Sequence, residues 1–332
     1  MMAIHVACID IGTVTVRLSL ASVQDGVVHL DSKVSTICNL GENVDKSRLL
    51  SQQACERVED CVARYMKEIR DNSFKLVCCT MTSAARDAEN SSLLIGALRE
   101  FGLEPQVIPG EVEGRLTFLG VAQDFHSQRI IVADNGGGST EIAYGALLQN
   151  SLSVPFVRST EAGCRRLTEK FLSRADPPTA EDRSQAHGFA ASIFSVVEKD
   201  LVGLQEKFGQ AARLLVCGGT ATSLVALEKS LVPYDSSRVH LQTLSLDTVD
   251  RLEGQLASLT CSERACLPGL QPKRAPVILA GTIILSELME QLNFSAMTVS
   301  ESDLLIGLSL VSAAVVQGFN SPVGWIPNVA EL

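Results

Sequence analysis

Asp134-Asn135-Gly136-Gly137-Gly138-Ser139-Thr140-Glu141 is the stretch that decides the reading of this chain. It follows Gln128–Ala133, an apolar run with the composition of a buried strand, and precedes two further strand-like runs, Thr140–Gly145 and Asn150–Val157. Three consecutive glycines lose much chain entropy on ordering, a cost that a plain hairpin turn has no reason to bear. Between a strand and hydroxyl residues, they let backbone N–H groups close around an anion, with Ser139 and Thr140 adding donors. Asp134 and Glu141 flank that loop. Two hard carboxylates beside a phosphate cradle are what Mg²⁺ or another divalent cation takes, because such ions share oxygen ligands with substrate oxygens.

Upstream, a second loop repeats the pattern: the apolar strand Ile4–Asp10 runs into Asp10-Ile11-Gly12-Thr13, an acid, a glycine and then a hydroxyl. On its own this is also the pattern of a β-turn with an aspartate acceptor. Strands at Val16–Val23 and Val27–Ser35, joined at Asp25-Gly26, complete a three-strand meander. A helix is expected over 47–69, where Leu50, Ala54, Val58, Cys61, Tyr65 and Ile69 fall on one face, followed by a short strand at Leu76–Thr80. Further helices are expected at Asn90–Glu100, from about Glu111, and at Gly163–Leu172, Glu181–Phe208, Thr248–Leu259 and Ala275–Leu292; in the last, Val277, Gly281, Ile284, Leu288 and Leu292 form an apolar stripe. The recurrence of the loop after 124 residues points to a duplicated unit.

Composition narrows the classes. The 332 residues suit two medium α/β domains, and 46% hydrophobic with 20% charged residues is globular. A net charge of −10 without a Lys/Arg run speaks against a nucleic-acid polymer as partner, so a polyanion must be met by local arginines, N–H groups and a metal. Ten cysteines without a CxxC spacing read as buried thiols in a reducing cytoplasm. Met1–Asp10 lacks a basic leader, and the apolar stretch Leu304–Val316 is too short to span a bilayer, so no membrane is expected as partner.

The paired loops resemble those of the actin, hexokinase and chaperone ATPase superfamily. Within it the chain resembles the exopolyphosphatase and guanosine pentaphosphate phosphatase family. The resemblance runs through Ala7–Leu18, Thr82–Asn90, Gly110–Leu116 with Leu119–Val121, Asp134–Glu141, Gly218-Gly219-Thr220, and Pro268–Leu270 with Arg274–Ile278. It implies two duplicated ribonuclease-H-like α/β domains facing across a phosphate-binding cleft. The first would cover 1–126, with a C-terminal helix (303–318) packing back on it, and the second 127–302. It implies Glu113 as the base that orients the attacking water and Asp134 and Glu141 as Mg²⁺ ligands. Asp10, Gly12, Thr13, Arg17, Arg86, Gly136, Gly137, Gly138, Ser139, Thr140 and Arg274 would surround the phosphates. In-line hydrolysis of a phosphoanhydride needs such a set, a carboxylate for the water and cations for the transferred group.

Each role has a plainer counterpart. Glu113 could be a helix N-terminal acid beside Glu111, and Arg86 a surface arginine paired with Asp87 or Glu89; Arg17, inside an apolar strand, needs an acidic partner in any case. Three positions depart from the family pattern: Val14 replaces an asparagine, Val112 a glutamate, and Asn135 an apolar residue. None removes the base or the metal acids, so the expectation is a working site with altered substrate preference. The expected substrate is inorganic polyphosphate, with guanosine pentaphosphate as the alternative. Without the extra C-terminal domains of longer family members, short chains or nucleotides are the favoured substrates. A kinase of the same superfamily, with Gly218-Gly219-Thr220 as an adenosine-pocket remnant, and a non-catalytic sensor are the rival readings. Self-association as a homodimer is left open by the sequence.

Overall fold

The computed structural model describes residues 2–149 and 151–332; Asn150, where one strand was expected to begin, lies outside them. The chain divides into two compact units, Met1–Gly120 with Leu304–Leu332, and Val121–Asp303.

In chain order the first unit contains β1 (Ile4–Ile11), β2 (Thr15–Gln24), β3 (Val27–Ile37), α1 (Val44–Ser47), α2 (Gln52–Asp71), β4 (Leu76–Met81), α3 (Ser83–Asp87), α4 (Ser91–Arg99), β5 (Gln106–Val107) and α5 (Gly110–Ala122), whose last two residues fall in the second unit. The second unit continues with β6 (Arg129–Asn135), β7 (Thr140–Leu148), β8 (Ser151–Thr160), α6 (Cys164–Leu167), α7 (Ala180–Phe208), β9 (Arg213–Cys217), α8 (Gly219–Glu228), β10 (Gln242–Ser245), α9 (Leu246–Ala257), α10 (Cys261–Arg264), α11 (Ala275–Gln291) and β11 (Ala296–Val299). The chain then returns to the first unit with α12 (Leu304–Val316) and β12 (Val329–Glu331).

The two sheets share a plan. In the first, β3-β2-β1-β4 are neighbours and β5 runs parallel to β4; in the second, β8-β7-β6-β9-β11 follow the same order, with β10 added at the edge. In each, an antiparallel meander is joined to parallel strands through its first member. The register repeats too. Asp10 sits opposite Arg17 across β1 and β2, and Asp134 opposite Glu141 across β6 and β7.

Helix α2 starts later than its apolar periodicity suggested. Ser51 caps it by accepting from Ala54 N–H, and Arg48 takes a left-handed conformation (φ 58) that helix continuation forbids. Its face of Val58, Cys61, Val62, Tyr65, Met66 and Ile69 packs against the first sheet, each large side chain contributing about 1.5–3 kcal/mol of burial. Helix α12 crosses α5 so closely that a side chain at Gly307 would strike the Leu116 carbonyl.

Helix α11 was expected to bury one stripe; instead it is buried almost all round, from Ala275 to Met289. It runs against both α7 and α9. At their junction His187 donates from both ring nitrogens, Nδ1 to Glu287 at 2.8 Å and Nε2 to Glu253 at 2.9 Å, so one imidazolium ties three helices. The helix expected at Gly163–Leu172 is one turn of α6 followed by a wider π-type turn over Thr168–Leu172. The cysteines are free, seven of them buried, with Cys55 and Cys261 half-buried and Cys266 exposed. Among the described residues no helix is long and apolar enough to cross a membrane.

Candidate active site

The loop after β6 is held from behind. Cys164 N–H donates to the Gly136 carbonyl at 3.0 Å, and Arg165 N–H and Arg166 N–H donate to that of Gly137 at 2.8 and 3.2 Å. Arg166 Nε donates to the Gly138 carbonyl at 2.9 Å. Gly163 has no room for a side chain: a Cβ there would lie 2.2 Å from the Gly138 carbonyl carbon. Across the loop, Gly136 N–H donates to Ser139 O at 3.0 Å. Among the described residues the N–H groups of Gly137, Gly138 and Ser139 have no acceptor, the condition of an anion cradle.

The first loop is built alike. Gly12 N–H donates to Thr15 O at 2.9 Å, the Val14 carbonyl accepts from Cys38 and Asn39 N–H (both 2.9 Å), and the Thr13 carbonyl accepts from Gly41 N–H at 2.8 Å. The N–H groups of Thr13 and Val14 likewise have no acceptor among the described residues. Val14, the departure from the family pattern, is buried, so this loop presents backbone N–H groups where the family adds an amide side chain.

The equivalent strand positions carry opposite charges. In the first unit Arg17 pairs with Asp10, Nη2 at 2.7 Å and Nε at 3.1 Å from Oδ2, while Thr80 donates to Oδ1 at 3.1 Å. This is the acidic partner that an arginine within an apolar strand requires. In the second unit the pair is Asp134 and Glu141, 5% and 2% exposed, with Ser159 donating to Glu141 Oε1 at 2.6 Å. Two buried carboxylates opposite one another on one sheet face repel. They fit a hard divalent cation, which accepts two carboxylates and completes its shell with water and phosphate oxygens. No cluster of three or more His, Cys, Asp or Glu ligands occurs among the described residues.

Asn135 and Thr140 occupy the other face of the same strands. Asn135 Nδ2 donates to Thr140 Oγ1, and that hydroxyl donates to the Ala162 carbonyl. Thr140 was expected among the phosphate ligands; its single proton is instead committed to ordering the loop, because strand alternation turns it away from Asp134 and Glu141.

Gly218-Gly219-Thr220 opens α8 beneath this loop. Gly218 adopts φ 98 and lies where a Cβ would come within 2.6 Å of the Asn135 carbonyl and 3.1 Å of Asp134 Oδ1. The Arg274 guanidinium lies flat on Gly219, where a Cβ would be 1.9 Å from Nη1. These glycines therefore seat Arg274 close to Asp134.

In the first unit, Glu113 on the opening turn of α5 is 7% exposed, whereas neighbouring Glu111 is exposed and Val112 half-buried. Arg86, from α3, donates to Glu113 Oε2 at 2.5 Å and to the Ile108 carbonyl at 3.0 Å. Glu113 is thus the inward-facing acid of the pair, and Arg86 is its partner. Gly163 and Arg166 went unrecognised in the sequence; the only signal was a glycine shortly before a doubled arginine, and nothing in their spacing names a loop 28 residues upstream.

A protein-family model described as the Ppx/GppA phosphatase family matches residues 19–311. The chain belongs to that family. It is 32% identical over 323 residues to exopolyphosphatase 2 of Mycobacterium tuberculosis, which covers 92% of this chain and 98% of that protein. It is also 32% identical over 318 residues to the bifunctional 3-dehydroquinate synthase/phosphatase of Fusobacterium nucleatum, over 92% of this chain and 46% of that longer protein. The crystal structure of the Aquifex aeolicus family member superposes with a TM-score of 0.77 at 30% identity, covering 96% of this chain and all of that one. The two like-ordered sheets described above are the mixed α/β, actin-like arrangement of that family.

Proposed function

We propose that this family member is an exopolyphosphatase, hydrolysing the terminal phosphoanhydride bond of inorganic polyphosphate to release orthophosphate with Mg²⁺ or another divalent cation. The observation that carries this reading is the second loop, whose outward N–H groups lie beside the cross-strand carboxylates Asp134 and Glu141. A chain of phosphates offers oxygens to the amides of the second loop and to Arg274. Bound at Asp134 and Glu141, Mg²⁺ would neutralise charge on the transferred phosphoryl group. Glu113 would align the attacking water and take its proton, its carboxylate fixed in orientation by Arg86 at Oε2. Asp10 and Arg17, neutralising one another, would hold the first loop's strands together rather than carry net charge.

The second substrate, guanosine pentaphosphate, is favoured by the family's shared description and by the backbone character of both loops, which recognise phosphate without regard to what bears it. Phosphate release from short and long polyphosphate, guanosine pentaphosphate and ATP, each with and without Mg²⁺, tests the assignment. Metal-dependent release from polyphosphate or the pentaphosphate is expected. Transfer of the ATP phosphate to an acceptor hydroxyl, or binding without release from any of them, would overturn it.

A further inference from the structure

Arg166 is conspicuous because it approaches the second loop from the side opposite the expected substrate. Its Nε donates to the Gly138 carbonyl, and its own N–H joins that of Arg165 on the Gly137 carbonyl. A trans peptide unit is planar, with its C=O and N–H pointing in opposite directions. Holding the Gly136 carbonyl backward therefore turns Gly138's preceding neighbour, Gly137 N–H, forward. Holding the Gly137 carbonyl backward turns Gly138 N–H forward, and holding the Gly138 carbonyl backward turns Ser139 N–H forward. Backbone N–H groups at the start of α6 secure the first two peptides, but the third, Gly138–Ser139, is secured by the Arg166 side chain alone among the contacts described. Glycine rotates freely at such a peptide, so without that hydrogen bond the unit can flip and withdraw a donor.

We propose that Arg166 is a positioning residue for phosphoryl transfer: it orients the Gly138–Ser139 peptide so that Ser139 N–H becomes a third fixed donor to the phosphate, acting through the loop and not by contact with substrate. This rests on the reading of the loop as a phosphate cradle. A preorganised donor is worth more to catalysis than one that must be ordered at each turnover. Charge alone should not substitute, since a lysine ammonium cannot reproduce the side-on geometry of the guanidinium Nε.

The test compares Arg166→Lys, Arg166→Gln and Arg166→Ala in the full chain. All three should lose roughly 10- to 100-fold in kcat/KM, the scale of a mispositioned donor, with guanidinium salt restoring part of the Arg166→Ala loss. Amide exchange at Gly137–Ser139, measured with and without tripolyphosphate, should show protection by the ligand in the parent protein and weaker protection at Ser139 in the variants. Retention of most activity by Arg166→Lys while Arg166→Gln fails would assign direct charge contact and overturn the proposal. So would unchanged Ser139 exchange in every variant, or a collapse of Tm that accounts for the loss. The exchange measurement needs no turnover. Tripolyphosphate that leaves the parent loop unprotected would remove the phosphate-cradle reading itself, a result distinct from a protected loop indifferent to Arg166.

Discussion

Glu113 and Arg86 show how one residue is oriented by another. A carboxylate at the start of a helix is ordinary, but one that is 7% exposed and held at Oε2 by an arginine is oriented. Glu113→Gln keeps the shape and removes the proton acceptor, so turnover should fall by about 10²- to 10⁴-fold while binding of tripolyphosphate, followed calorimetrically, persists. Asp134→Asn and Glu141→Gln act on another variable. Each replaces one of two facing carboxylates, so the Mg²⁺ concentration for half-maximal activity should rise in both, and an unshifted titration in both would remove the metal assignment. The residue types carried this reading: acids flanking glycines suit a metal and a phosphate. The diversion of the Thr140 hydroxyl to Ala162 was not legible in them, because it depends on which strand face the loop delivers it to.

Among the elements, the duplicated hairpins were readable because glycine, acid and strand patterns are local. The segments that brace them were not. Gly41 lies 28 residues beyond Thr13, and Gly163 lies 25 beyond Gly138, with whole strands between; each closes on its loop only after the meander has folded. Similarly, the periodic stripe of α11 marked only part of its buried surface, since α7 and α9 cover its remaining sides. Gly163→Ala should expose this dependence. A methyl 2.2 Å from the Gly138 carbonyl carbon forces the loop to move, costing about 1–3 kcal/mol, and phosphate release should fall more steeply than Tm.

At the scale of the whole molecule, stability should depend on pH through His187. Hydrogen bonds donated to Glu253 and Glu287 push its imidazolium pKa up to about 10, against an ordinary value of 6.5, and overcome the opposing effect of burial. Asp250 and Glu290 add acidity nearby; burial, with Glu287 beside it, pushes Glu290 up. A raised folded-state pKa means that the contribution is complete below pH 6.5 and is lost as pH rises through about 10. Tm should therefore decline across that window. His187→Gln should lower Tm at pH 6 and flatten the decline, with a loss at pH 6 of about 2 kcal/mol, discounted from buried-pair values because the imidazole is partly exposed. A parallel decline in parent and variant would place the pH dependence elsewhere.

The shared register of the two hairpins has one more consequence. At the position facing the repeated aspartate, one half of the chain carries Arg17 and the other Glu141. The first half carries an arginine there, at a fixed stoichiometry that dialysis cannot alter; the second sets two acids face to face and offers both to the divalent cation proposed for it. Ionic supply should therefore act on the two halves unequally: a chelator would loosen β6 and β7 while leaving β1 and β2 as tight as before, making one duplicate an internal reference for the other.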